Sequence, residues 1–120
     1  MIGKKLLTAA LGLGLLIVPL SATAATAKPG DCHWLTQHGV YCEYYGGRAV
    51  IGMGSSGPAV REAQALLKYR GYSVGSTGVD GEFGSATDTA VRKFQKKLRL
   101  TADGLVGEKT WYALRTGIAT

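Results

Sequence analysis

The sequence predicts an all-α domain: a small three-helix bundle with Gly-rich Asp-Gly-x-x-Gly loops, preceded by a small disulfide-closed N-terminal segment. Three observations predict it. Apolar residues recur at helical spacing in three short stretches. The frame Asp-Gly-x-x-Gly-x-x-Thr occurs twice, at Asp80–Thr87 and Asp103–Thr110. The only two cysteines, Cys32 and Cys42, lie close together ahead of both frames.

The first residues read as a secretory signal peptide, 1–27. Lys4 and Lys5 supply a basic start, Leu6–Leu20 is apolar, and Ser21–Ala27 is small-residue material. The alternative is a membrane anchor. A spanning helix wants about 20 apolar residues, and this run is shorter, with Pro19 near its end. Cleavage is expected after Ala27, with Ala24 as the second choice. The chain beyond it is long enough for one small domain.

Residues 28–52 form the Cys-containing segment. Outside the cytoplasm a close, even pair of cysteines oxidises, so a Cys32–Cys42 disulfide is expected, closing a small hairpin. His33 and His38 lie in the same stretch, which leaves a Cys2His2 metal site conceivable. The spacing follows no familiar zinc pattern, so no metal is expected.

The three-helix domain spans 53–116. Ser56-Gly57-Pro58 places proline at a first helical position, where its missing N–H costs nothing. Val60, Ala63, Leu66 and Leu67 share a face, and Gly71 supplies a left-handed stop. Helix one is therefore Pro58–Arg70. Helix two runs from near Ser85 to near Arg99, with Ala86, Ala90, Val91, Phe94 and Leu98 as its stripe. Ser85 to Asp88 has the form of a Ser-x-x-acid cap. Helix three is Glu108–Arg115, with Trp111 and Leu114 one turn apart. Helices this short draw their stability from packing.

Repetition extends beyond the loop. Val60–Leu67 and Val91–Leu98 share Val-Arg-x-x-Gln-x-x-Leu. Asp80-Gly81 and Asp103-Gly104 read as turns: Asp bonds downstream N–H groups and Gly takes a positive φ. Gly84 and Gly107 sit where the chain enters a helix, and Thr87 and Thr110 reach back toward the loop. Calcium ligation needs more oxygen ligands than these loops hold, and phosphate loops carry a Lys-Ser/Thr or a further glycine. Asp80, Gly81, Gly84, Thr87, Asp103, Gly104, Gly107 and Thr110 are therefore read as structural.

The stretch Gly54–Leu114 closely resembles the type 1 peptidoglycan-binding-like domain family. The resemblance is carried by Gly54, Gly57, Val60, Gln64, Leu67, Gly71-Tyr72, Asp80-Gly81, Phe83-Gly84, Thr87, Ala90-Val91, Phe94-Gln95, Asp103-Gly104, Gly107, Thr110-Trp111 and Leu114. One departure is visible: Arg99-Leu100 stands where the family often has Gly-Leu. The resemblance implies a non-catalytic, secreted three-helix module docking on bacterial peptidoglycan at the cell wall, often beside a cell-wall hydrolase, with no cofactor. A groove of arginine, amide donors and aromatic rings would suit peptide carboxylates and sugar faces. Tyr69, Tyr72, Asp80, Arg92, Gln95 and Trp111 are the candidate contacts. A core place for Trp111, and a loop-satisfying role for Gln64 and Gln95, stand beside that reading.

Charge and motifs narrow the function classes. The formal net charge is +6, or +4 without Lys4 and Lys5, which draws the chain to acidic surfaces without naming one. Arg92, Lys93, Lys96, Lys97 and Arg99 read first as a solvated helix face. The connections are too long for a helix-turn-helix, so no nucleic-acid partner is expected, nor a membrane after signal cleavage. No metalloprotease or serine-elbow motif occurs. The alternative function is a protein-binding, targeting or inhibitory subunit of a separate secreted hydrolase or protease.

Overall fold

Pro58 opens the first helix of the structure, a computed structural model that describes residues 28–120. The signal-peptide expectation falls on 1–27 and lies outside the described residues. Helices α1 (Pro58–Tyr69), α2 (Ser85–Lys97) and α3 (Glu108–Thr116) follow in order. Two short strands precede them, β1 (His33–Leu35) and β2 (Gly39–Tyr41). They pair antiparallel with Trp34 opposite Val40, and the Cys32–Cys42 disulfide closes the hairpin behind them. This sheet departs from a purely α fold.

The helix bounds follow local chemistry. α1 ends in a Schellman arrangement: Gly71 N–H donates to the Lys68 carbonyl and Tyr72 N–H to that of Leu67, with Gly71 at φ +94°. α2 ends the same way, with Arg99 N–H on Lys96 O and Leu100 N–H on Gln95 O. Here the left-handed residue is Arg99, at φ +60°. That is where the expected extension to Arg99 stops short. The expected Ser85 cap also fails: Gly84 is the N-cap residue, no side chain caps it, and Ser85 already lies inside the helix.

One apolar core gathers Val60, Leu66, Leu67, Phe83, Val91, Phe94, Val106, Trp111 and Leu114. Val40, Cys42 and Ile51 belong to it too, so packing shows no boundary between 52 and 53. Two devices dock the N-terminal segment. The Glu62 carboxylate of α1, fully buried, accepts N–H bonds from Cys42 (2.8 Å), Tyr44 (3.0 Å) and Tyr45 (3.2 Å). Arg115 of α3 donates to the Gly47 and Tyr45 carbonyls at 2.9 and 2.8 Å. Further on, Ile51 and Val106 exchange both backbone hydrogen bonds, and Phe83 bonds Gly54 and Ser55. Residues 51–56 thus tie together the two loops that launch α2 and α3. Among the described residues no helix is long and apolar enough to cross a membrane.

Candidate functional site

The two Asp-Gly corners are built alike, each around a buried glutamine. Gln64 projects from α1, and its Nε2 donates to Asp80 Oδ1, the Glu82 carbonyl and Thr87 Oγ1, each at 3.0 Å. Its Oε1 accepts from Gly81 N–H at 2.9 Å. Gln95 of α2 does the same one unit later. Its Nε2 serves Asp103 Oδ1 (3.2 Å), Leu105 O (2.9 Å) and Thr110 Oγ1 (3.1 Å), and its Oε1 accepts from Gly104 N–H (3.0 Å). Asp80 and Asp103 each also accept the N–H two residues on, both at 2.9 Å. These are Asx turns. The threonines meet the preceding helix's glutamine, which explains why Gln and Thr recur in one frame.

Electrostatics agree with the geometry at the first corner. The Glu82 N–H, then the Gln64 amide and the Thr77 hydroxyl, hold the Asp80 carboxyl below its ordinary range. Gly81 and Gly104 sit at φ +81° and +78°. Each also lies under an arginine: a Cβ on Gly81 would come within 3.0 Å of the Arg61 guanidinium, and one on Gly104 would overlap Asp88 and press on Arg92. The corners are therefore closed on themselves, and their polar groups are spoken for.

An open groove lies elsewhere. Its volume is about 750 Å³, and it runs between the last turns of α1 and the disulfide segment. Asp31, Tyr44, Ala65, Lys68, Tyr69 and Val79 line it. Tyr69 is 45% exposed. The groove offers two phenol rings, one cation and one carboxylate, a set that can stack on a sugar face and pair with both ends of a zwitterion. It contains no nucleophile and base in hydrogen-bond reach of each other. No group of three or more potential metal-ligating side chains occurs among the described residues, and the cysteine sulfurs are bonded to each other.

The six candidate contacts are not brought together. Tyr69 lies on the groove wall. Tyr72 packs edge-on against Phe94, with ring centroids 5.6 Å apart. Asp80 faces a separate hollow of about 220 Å³ at the start of α2. Arg92 is exposed, paired with Asp88 at 3.0 Å and bonded to the Ala102 carbonyl. Gln95 is buried in its corner. Trp111 is fully buried, and its Nε1 donates to Ala49 O at 2.8 Å. Gln95 is 1% exposed and Trp111 has no exposed surface, so neither side chain is open to a ligand in this fold. Sequence reading missed Asp31, Tyr44 and Lys68. Lys68-Tyr69 at a helix end was the available signal; the partners from residues 31–44 had none.

A small module of three helices, hung on two alike corners and bearing an open groove, is the class this geometry defines. Residues 56–114 match the family described as "Putative peptidoglycan binding domain", and the chain belongs to that family. It is 37% identical over 110 residues to the zinc D-Ala-D-Ala carboxypeptidase of Streptomyces albus G, covering 90% of this chain and 42% of that enzyme. A match of that length takes in the disulfide segment as well as the helices. Among solved structures, a peptidoglycan-binding protein from Clostridioides difficile, in complex with glutamine hydroxamate, aligns with a TM-score of 0.59 and 38% identity. That alignment covers 70% of this chain and 55% of the other. The SleB N-terminal domain aligns with a TM-score of 0.54 and 46% identity, over 58% of this chain and 93% of that one. The chain thus spans less than half of the curated carboxypeptidase it matches.

Proposed function

We propose that this protein is a non-catalytic, extracytoplasmic module that binds bacterial peptidoglycan. The groove at Tyr69 is the contact surface. Family membership across 56–114 carries the reading, and the disulfide supports an oxidising compartment outside the cytoplasm. Within the groove, Tyr44 and Tyr69 present ring faces to sugar, Lys68 takes a stem-peptide carboxylate, and Asp31 takes an amine. Asp31, Lys68 and Tyr69 are exposed and Tyr44 is partly buried; each contact is individually weak, so affinity comes from several at once and from repetition of the polymer. A secretory signal in 1–27 delivers the chain to the wall.

The test is co-sedimentation of the oxidised protein with sacculi stripped of anionic polymers, at low and moderate salt. Pelleting that survives moderate salt, and falls several-fold in Tyr69→Ala, is the expected result. Pelleting that vanishes with a little added salt would leave net charge as the sole attraction. Co-purification with a hydrolase, without any pelleting, would turn the reading toward a protein-binding subunit.

A further inference from the structure

A second cavity, between the hairpin and the last turns of α3, has a different chemistry. It measures about 340 Å³ and is lined among others by Gln37, His38, Tyr41, Arg48, Tyr112 and Arg115. Two arginines, an amide and an imidazole face it, and no acidic residue lines it. The buried Glu62 carboxylate acts on Arg115 from inside the core, and Glu108 meets Arg48 at 3.3 Å with both side chains largely exposed. Such a pair is weak and easily exchanged for another anion.

Arg115 makes this cavity more than a basic surface. It is 4% exposed. Its guanidinium lies over the Tyr41 ring at 4.3 Å and the Trp111 ring at 4.7 Å. NH1 and NH2 each donate to one carbonyl, those of Gly47 and Tyr45. Its Nε has no hydrogen-bond partner, the one such buried side-chain nitrogen or oxygen among the described residues. Buried donors are nearly always satisfied; with Glu62 beside the guanidinium, Nε lacks an acceptor oxygen, and a charged oxygen is the strongest one it can take.

We propose that this cavity is an anion site: it takes a carboxylate or phosphate oxygen that completes Arg115 and displaces Glu108 from Arg48. Gln37 and Arg48 lie outside the matched family region, 56–114, so the site belongs to the disulfide segment together with α3. It rests on the wall-binding reading only for the source of the anion, which is a stem-peptide carboxylate or a phosphate of a wall polymer.

The experiment is NMR titration of the oxidised protein, following the Arg115 Nε–H signal and the Gly47 and Arg48 amides. Three probes are used: a stem tetrapeptide with a free C-terminal carboxylate, the same peptide amidated, and a glycerol phosphate oligomer. One acidic probe is expected to move all three signals, with the amidated peptide at least about tenfold weaker, as for a lost charge-assisted bond. Whichever acidic probe binds names the source. Arg48→Gln, an exposed change that leaves the fold intact, is expected to weaken that probe about fivefold. The proposal is overturned if neither acidic probe moves the Arg115 signal, or if the amidated peptide binds equally well. Sedimentation with sacculi that persists in that case leaves the Tyr69 groove reading standing, so the two failures are distinguishable.

Discussion

The corner at Asp80 and the corner at Asp103 carry the same hydrogen bonds but leave their supporting helices differently. Gln64 and Gln95 have matching partners, one for one. Yet α1 exits through Gly71 and α2 through Arg99, both in the left-handed region. The surroundings differ as well: the first corner opens on a hollow of about 220 Å³, the second on one of about 410 Å³ bordered by Val50. What the two share is what the helix start demands. What they do not share is negotiable, and Arg99 shows that even a left-handed glycine falls in the second class.

The strongest way to break the comparison is to remove its centre. Gln64→Leu leaves the buried Gly81 N–H and the Asp80, Glu82 and Thr87 oxygens without their amide, at a cost of about 2–4 kcal/mol. Gln95→Leu strands the corresponding set at Gly104 and should cost the same within about 1 kcal/mol. Urea unfolding of both variants checks this; one severe and one silent variant would show that the corners are alike in geometry only.

Glycine substitution sharpens the contrast. Gly104→Ala adds left-handed strain of about 1–2 kcal/mol and a collision with the Asp88 carboxylate. Gly81→Ala meets only the flexible end of Arg61 and should lose less. The order of the two melting temperatures decides it. At the helix exits the expectation reverses. Arg99→Gly relieves the strain of a non-glycine at φ +60° but loosens the unfolded chain, for a net gain of about 0.5–1 kcal/mol. A loss of stability there would mean that the Arg99 side chain makes a contact worth more than its backbone strain.

The smallest effect is in acid. The Asp80 carboxyl is held below its ordinary range in the folded chain, chiefly by the Glu82 N–H. Its contribution to stability is therefore present above the unfolded carboxylate pKa, and is lost as pH falls through the folded value. Asp80→Asn should flatten the acid limb of the urea midpoint between pH 5 and pH 2, relative to the parent, by the share this group supplies.

Much of the helical part was legible in the sequence because its signals are local. Pro58 and Gly71 bracket α1, and apolar stripes mark α2 and α3 within about two residues. The Ser85 cap misled because Gly84 already provides the extended entry and Thr87 turns toward Gln64. The docking of residues 28–52 was not legible. It depends on Glu62 and Arg115, charged residues of types that are seldom fully buried. Their partners are backbone groups of residues 42–47, which no periodicity in α1 or α3 can announce. The groove was half visible for the same reason: Tyr69 stands at a helix end, while Asp31 and Tyr44 arrive only through that docking. Trp111 was split between core and rim, and the Ala49 carbonyl that receives its indole N–H comes from the segment whose docking had no sequence signal.

The glutamine-centred corners have a consequence for how the surface meets a polymer. Gly81 and Gly104 lie in turns, yet their amides are fastened to the core by a side chain that is itself buried. In hydrogen exchange these two loop amides should open only with the whole domain. A loop so fastened cannot reshape itself around a guest. The backbone at both corners is already ordered before any contact, so association costs little entropy there.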